Sequence, residues 1–304
     1  MVTLFMVVRV SEERFADVPD FDYEPKYVDV GELRMAYVEA GGNGDDGGDE
    51  ETFLCLHGEP TWSFLYRKMM PILAERGRVV VPDLIGCGRS DRYEDRDAYS
   101  IEMHYDALET FVEELDLTNV TLVCQDWGGV LGLPLAVHRP ERFARLVPMN
   151  TGVPDGTQEM SDRWHEFAEM VATADDLDIG RLVRNGCYRE LSEEVVDAYR
   201  APFPNERYMA AARTFPGLVP TSPDDPGAEL MAETQERLGE WEKPAFVLFG
   251  REDPITSHDR DPLRHHIPTA TEQPDVWIDD AAHFLQEDAG EEIAERIVEF
   301  VDRT

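Results

Sequence analysis

Short apolar runs, each ending at a polar or glycine-rich turn, recur along the chain and are typical of buried strands. The first two, 28–30 and 33–38, flank Gly31 and predict a β-hairpin. Apolar residues with a helical period occupy 100–115 and 291–301. Further strands are predicted at 52–56, 79–81, 120–124, 145–149, 244–249 and 274–278. Strands that alternate with helices predict an α/β fold with a mostly parallel sheet, whose ligand sites lie at the carboxyl ends of the strands.

The pattern changes between residues 154 and 226, where helical periodicities are separated by proline-rich turns and no strand signal is present. The helical stretches include 164–171, 179–187 and 193–199. We interpret this region as an all-helical insertion that acts as a lid. The predicted organisation is a first part of the core at 1–153, a helical cap at 154–227 and a second part of the core at 228–304.

The charge balance is extreme, with 64 acidic residues against 28 basic ones and a formal net charge of −36. The acidic residues are spread along the chain, which argues against an acidic interaction tail. Such a surface repels itself in dilute buffer, but at 1 M salt the Debye length is only about 3 Å. The composition therefore predicts a cytoplasmic protein of a salt-accumulating halophile. It argues against nucleic-acid binding, and no apolar run reaches the length of about 18 residues that a membrane span needs.

One acidic, glycine-rich segment at 41–50 has no periodic pattern and is predicted to be a solvated linker. Its acidic residues lack the spacing of a calcium-binding loop. The four cysteines show no metal-ligand spacing and are expected to be reduced thiols. The sequence therefore predicts no metal site.

Asp126 lies at the sharpest break in the pattern. It follows the apolar run at 120–124, and after it comes an apolar stretch that is too long for a strand and predicts a helix. Small residues at Cys124 and Gly128 permit such a tight strand-to-helix turn. A carboxylate at the turn is ionised near neutral pH and can attack carbon without a base. Helix capping is the alternative role, but a cap does not require the paired glycines or the adjacent Trp127.

Asp253 and His283 each follow a predicted strand late in the chain. With Asp126, they have the order nucleophile, acid, histidine that α/β-hydrolases share. We expect Asp126 to attack and His283 to activate a water that hydrolyses the resulting ester. Asp253 is expected to orient the imidazole and to stabilise its charged form. Asp155, just beyond an earlier strand, is the alternative acid.

A second loop at the same edge carries His57, Gly58 and Glu59, directly after the strand predicted at 52–56. In α/β-hydrolases this position supplies one backbone amide of the oxyanion hole, and the residue after the nucleophile supplies the other. The predicted oxyanion hole is therefore formed by the amides of Glu59 and Trp127. A plain turn is the alternative interpretation of the His-Gly pair.

Four motifs, in this order, resemble the haloalkane dehalogenases: HGEPTW at 57–62, CQDWGG at 124–129, APFP at 201–204 and AHF at 282–284. The likeness runs from about residue 37 to the end of the chain. It implies cleavage of a carbon–halogen bond through a covalent aspartyl-alkyl ester, giving an alcohol, a halide and a proton. A small haloalkane and water are the implied partners, with no cofactor, and the sequence gives no indication of oligomeric state.

A departing halide needs hydrogen-bond donors in a dry pocket, and an indole N–H donates without competing as an acceptor. Trp127, beside the nucleophile, is the first predicted donor. Trp164, in the first cap helix, is the second, because the other tryptophans lie beside or within core elements. Phe167, one turn away, is the alternative occupant of the second position, and core packing is the alternative role for Trp164.

Other enzymes with an aspartate nucleophile remain alternatives. An epoxide hydrolase needs an acid for the leaving alkoxide, usually two cap tyrosines, and Tyr188, Tyr199 and Tyr208 are the candidates. A fluoroacetate dehalogenase would carry arginines beside the nucleophile, where this chain has Trp127 and two glycines. A non-catalytic binding protein of the same fold would lack one of the three triad residues, and none is missing.

Overall fold

The computed structural model describes residues 5–42 and 51–304, so most of the linker predicted at 41–50 lies outside the described residues. The strands are β1 (Val7–Val8), β2 (Lys26–Val30), β3 (Leu33–Ala40), β4 (Thr52–Leu56), β5 (Arg78–Pro82), β6 (Arg92–Tyr93), β7 (Val120–Gln125), β8 (Phe143–Met149), β9 (Phe249–Gly250) and β10 (Trp277–Ile278).

The helices are α1 (Met70–Ala74), α2 (Ile101–Glu114), α3 (Trp127–His138), α4 (Asp162–Thr173), α5 (Ile179–Asn185), α6 (Glu193–Arg200), α7 (Ala210–Leu218), α8 (Ala228–Leu238), α9 (Arg260–His266) and α10 (Leu285–Arg303). Short 3₁₀ helices lie at Glu12–Phe15, Ser63–Tyr66, Arg96–Ala98, Glu206–Tyr208, Ser257–Asp259 and Pro268–Glu272. Within residues 5–42 and 51–304, no helix combines the length and apolar character that a bilayer crossing requires.

The central sheet has the strand order β2-β3-β5-β4-β7-β8. β2 and β3 form the predicted antiparallel hairpin, and β3 pairs antiparallel with β5. From β5 to β8 all neighbouring strands are parallel. Parallel strands are covered on both faces, which explains why their sequences are continuous apolar runs rather than alternating ones. Every residue of β4 and β7 is buried.

The sheet separates two apolar clusters. Leu54 and Leu56 of β4 face one cluster, and Phe53 and Cys55 face the other. Helices α2, α3 and α8 contribute to the first cluster, while α1 and α10 contribute to the second. Helices therefore cover both faces of the sheet, and the predicted α/β class with a mostly parallel sheet is confirmed.

Beyond β8 the sheet continues irregularly. Residues 245 and 248 form single parallel bridges to β8, and β9 then pairs in parallel with β10. The strands predicted at 244–249 and 274–278 are therefore in the right places but too long. One physical reason is Pro148 in β8. Its carbonyl accepts a hydrogen bond from the Leu248 amide, but proline has no N–H to donate the next hydrogen bond of the ladder.

Helices α4 to α7 follow β8 consecutively, and no strand occurs between residues 154 and 227, all of which the structure describes. The three helical stretches predicted there correspond to α4, α5 and α6. Helix α7 was not predicted, because Pro216 near its end resembles the proline-rich turns on either side.

Candidate active site

Asp126 occupies the turn between β7 and α3. Its φ of +52° lies in the left-handed region, where a residue with a side chain is strained. The turn brings α3 so close to β4 that a Cβ on Gly128 would lie 2.2 Å from the Leu56 carbonyl oxygen. Close approach therefore requires the glycine at position 128, as predicted from the sequence.

The Asp126 carboxylate is held by its neighbours. The Glu59 amide donates to Oδ1 at 2.8 Å. The main chain of Asp126 is held as well, because the Thr151 hydroxyl donates to its backbone carbonyl at 2.7 Å. A Cβ on Gly58 would lie only 2.3 Å from Oδ1, so the loop before Glu59 also needs a glycine. Oδ1 is thus anchored on a backbone amide, while Oδ2 lies 3.6 Å from Nε2 of His283.

His283 and Asp253 meet although 30 residues separate them. His283 lies in the loop between β10 and α10, and its Nδ1 is 3.2 Å from Oδ2 of Asp253. Asp253 is 2% exposed and also accepts from the amides of Ile255 and Thr256 and from the Thr256 hydroxyl. Burial raises the pKa of Asp253, but the charge of His283 and these donors outweigh it and lower that pKa.

The alternative acid, Asp155, is placed differently. It lies on a partly exposed loop, and its carboxylate accepts from the amide and hydroxyl of Thr157. The geometry brings Asp126, Asp253 and His283 together and leaves Asp155 outside the group.

The imidazole of His283 is buried between two carboxylates. Burial lowers its pKa, but Asp253 and Asp126 outweigh that effect and raise the pKa to about 10. With Asp126 ionised, His283 is therefore an imidazolium near neutral pH. An imidazolium cannot accept a proton, so in this state His283 cannot act as a base.

A cavity of about 1000 Å³ lies between the central sheet and the helices α4, α5 and α7. Asp126, Trp127 and His283 line it, and Asp253 lies behind His283. The Trp127 ring is buried and packs against Phe215 of α7, with ring centroids 4.9 Å apart. The floor of the cavity therefore presents a carboxylate, an indole and an imidazole to the same space.

Both candidates for the second halide contact face this cavity. Trp164 and Phe167 lie one turn apart on α4, both are half-buried, and both line the cavity wall. Helix α4 buries only Val171 completely, and Phe167 both lines the cavity and packs against the second apolar cluster. The geometry places Trp164 and Phe167 near the site and does not separate them.

The side chain of Glu59 also lines the cavity, whereas the sequence predicted a role only for its backbone amide. Its carboxyl is buried, and within the described chain Oε1 has no hydrogen-bond partner. Burial and the nearby charge of Asp126 raise the pKa of Glu59 well above its usual value. Both effects favour the neutral, protonated form of Glu59 beside Asp126.

Sequence reasoning missed three polar residues around His283. The Asn150 amide donates to the carbonyls of Ala282 and His283, and the Gln125 amide nitrogen lies 3.3 Å from Nε2 of His283. Asp288 accepts from the Ala282 amide. Asn150 and Gln125 lie at strand ends, a position that could have marked them. No pattern in the sequence distinguishes Asp288 from the other acidic residues of α10.

The three candidate tyrosines for an epoxide hydrolase do not line the cavity. Tyr188 is exposed, Tyr199 is fully buried and donates to Glu287, and Tyr208 lies against the Arg92 guanidinium. None of the three is placed to protonate a leaving alkoxide at Asp126.

The comparisons with known proteins agree with this geometry. Residues 51–290 match the family model described as alpha/beta hydrolase fold. A haloalkane dehalogenase of Psychrobacter cryohalolentis is 40% identical over 97% of this chain and 98% of its own length. One from Mycolicibacterium paratuberculosis is 42% identical over 96% of this chain and 97% of its own length.

Among solved structures, the tetrameric haloalkane dehalogenase DpaA of Paraglaciecola agarilytica is 38% identical, with a TM-score of 0.89 over 96% of this chain and 97% of its own. Full-length identity of this level, together with the shared fold, decides the family. The chain belongs to the haloalkane dehalogenases of the α/β-hydrolase fold and is a hydrolase of carbon–halogen bonds.

Proposed function

We propose that the reaction proceeds in two steps at Asp126. In the first, the carboxylate attacks the halogen-bearing carbon, a carbon–oxygen bond forms, and the carbon–halogen electrons leave with the halide. Once the ester has formed, His283 releases its proton to solvent, and in the second step the neutral imidazole takes a proton from a water whose oxygen attacks the ester carbonyl carbon. Collapse of that intermediate passes its remaining hydroxyl proton to the leaving alkoxide, which gives the alcohol and restores the carboxylate and the imidazolium. The placement of His283 between the carboxylates of Asp126 and Asp253 is the observation that carries this proposal.

The ester oxygen that gains negative charge in the second step is assigned to Oδ1 of Asp126. The Glu59 amide already lies 2.8 Å from it, and the Trp127 amide is assigned as the second donor. Asp253 holds the imidazole so that Nε2 points at the reacting carbon and stabilises the imidazolium that forms.

For the departing halide, we assign Trp127 as one indole donor and Trp164 as the other, with Phe167 as the alternative. Indole N–H groups suit this task because a donor that cannot accept a hydrogen bond stabilises an anion, most strongly where water is excluded. The substrate class is therefore small haloalkanes, and the apolar side chains of Val130, Leu182 and Leu263 in the cavity lining fit such molecules.

The assignment of roles is tested with a halide-release assay over chloro-, bromo- and iodoalkanes, with an epoxide as the control substrate. We expect halide from the haloalkanes and no diol from the epoxide. The variant His283→Phe should release about one halide per site and then stop, with the alkyl group retained on the peptide that contains Asp126. An unmodified Asp126 peptide would remove the nucleophile from the scheme.

We further propose that residues 154–227 act as a cap over the core formed by 1–153 and 228–304, in a cytoplasmic protein that works at high salt. The net charge of −36 supports the salt requirement. The melting temperature should fall on dilution from molar to low salt, and turnover should persist in molar chloride. A melting temperature that does not respond to salt would refute the halophilic part of the proposal.

A further inference from the structure

The loop that carries His283 lies between β10 and α10. Its backbone is held by hydrogen bonds to residues outside the loop. Asn150 donates to the carbonyls of Ala282 and His283, and the Phe284 amide donates to the carbonyl of Gly186 at 3.2 Å. The position of the imidazole therefore depends on partners distant in sequence.

Asp288, in the first turns of α10, is one of these partners. It is 3% exposed, and its carboxylate accepts three backbone amides. Oδ2 receives the amides of Ala282 and Tyr188, both at 2.9 Å, and Oδ1 receives the Arg189 amide at 2.8 Å. A carboxylate can accept at both oxygens, whereas an amide side chain would turn an N–H₂ group against at least one of these donors.

These amides come from two different parts of the fold. Ala282 belongs to the loop that carries the catalytic imidazole, while Tyr188 and Arg189 follow α5 in the predicted cap. The same two parts also touch directly, because Gly186 packs on the Phe284 ring so closely that a Cβ there would lie 2.5 Å from a ring carbon. Asp288 therefore joins the histidine loop to the cap segment 186–189.

We propose that Asp288 is a positioning residue for the hydrolytic step, holding the histidine loop and the cap segment 186–189 together so that His283 faces the ester on Asp126. This inference rests on the proposed role of His283. Attack by Asp126 on the haloalkane requires no proton transfer, so it tolerates a displaced imidazole. Activation of a water does not tolerate it, since a misplacement of about 1 Å can cost about 100-fold in rate.

The test separates the two steps in the full-length protein. With 1-bromobutane as the probe, rapid-quench measurements follow bromide release, and intact-mass measurements follow the alkyl-enzyme. For Asp288→Asn we expect a bromide burst within a few-fold of the wild-type rate, steady-state turnover reduced roughly 10- to 100-fold, and accumulation of alkylated Asp126.

Glu287→Gln is the matched control. Glu287 is the adjacent buried acid, but its carboxylate binds the side chains of Arg67 and Tyr199 and not the histidine loop, and its backbone bond to Phe284 is kept in Glu287→Gln. The control should lower the melting temperature without changing the ratio of the two rates. If Glu287→Gln accumulates alkyl-enzyme as Asp288→Asn does, general loosening explains both and the inference is wrong.

Gly186→Ala perturbs the same junction from the cap side and carries the test if Asp288→Asn does not fold. Its backbone φ suits alanine, so the expected effect arises from displacement of the Phe284 ring. It should also accumulate alkyl-enzyme. Parallel loss of both rates, or no change in either, would overturn the inference. His283→Phe is measured alongside, and if it fails to accumulate alkyl-enzyme, the proposed role of His283 is what has failed.

Discussion

Removing the negative charge of Asp126 should lower the pKa of His283, and this is the prediction on which the two-step chemistry depends most directly. In the resting site, Asp126 and Asp253 raise the pKa of His283 to about 10. Formation of the ester converts Asp126 into a neutral group. We therefore expect the first step to change His283 from an imidazolium into a base that can accept a proton from water.

The magnitude follows from the geometry. Nε2 of His283 lies 3.6 Å from Oδ2 of Asp126. At an effective dielectric constant of about 20, two unit charges at that distance interact by roughly 4–5 kcal/mol, which corresponds to about 3 pK units. Residual dipoles reduce the effect, so we expect a fall of about 2–3 units, which brings the pKa of His283 down to about 7–8.

The assay is an NMR titration of protein with isotope-labelled histidine, in wild type and in Asp126→Asn, with Asp126→Ala as a second neutral variant. The chain has 8 histidines, and the His283 signal is identified by its loss in His283→Phe. Intact mass confirms that residue 126 remains an amide. A His283 pKa that is the same in wild type and in both neutral variants would refute the reasoning.

Three further outcomes are expected. Burial lowers the pKa of His104 to about 3, so below pH 6.5 the unfolded chain binds a proton that the folded chain does not. The free energy of unfolding of His104→Phe, measured in urea, should therefore rise relative to that of wild type by up to about 1.4 kcal/mol per pH unit as the pH falls from 7 to 5. A difference that does not change with pH would contradict this. Asp253→Asn should lower turnover by roughly 10³- to 10⁴-fold while keeping the first halide burst, and loss of the burst would show that Asp253 also serves the first step. The halide affinity, measured by tryptophan fluorescence, should fall in Trp164→Phe if that indole is the second donor. It should fall in Phe167→Leu if the ring at 167 holds the position. Unchanged affinity in both variants would place the second contact elsewhere.

Local patterns in the sequence determined the fold class and the order of the site residues. The strand at 120–124, its abrupt end at Asp126 and the close-packed Gly128 form one continuous signal, because a tight turn constrains residues that are adjacent in the chain. The same holds for His57 to Glu59 after β4. The carboxyl ends of parallel strands meet at one edge, so residues at those ends were expected to lie together, and the structure brings Asp126, Asp253 and His283 within contact.

Only the tertiary structure decided which of several similar residues occupy the site. It places Asp253 rather than Asp155 against the imidazole, leaves Tyr188, Tyr199 and Tyr208 outside the cavity lining, and gives both Trp164 and Phe167 access to the cavity. It also revealed Asp288, whose three bonds join two segments, one 6 residues away and the other 99–100 residues away in the chain. The physical reason is that backbone amides donate to a carboxylate in the same way whatever the residue type, so such contacts leave no pattern in the sequence and exist only once the chain has folded.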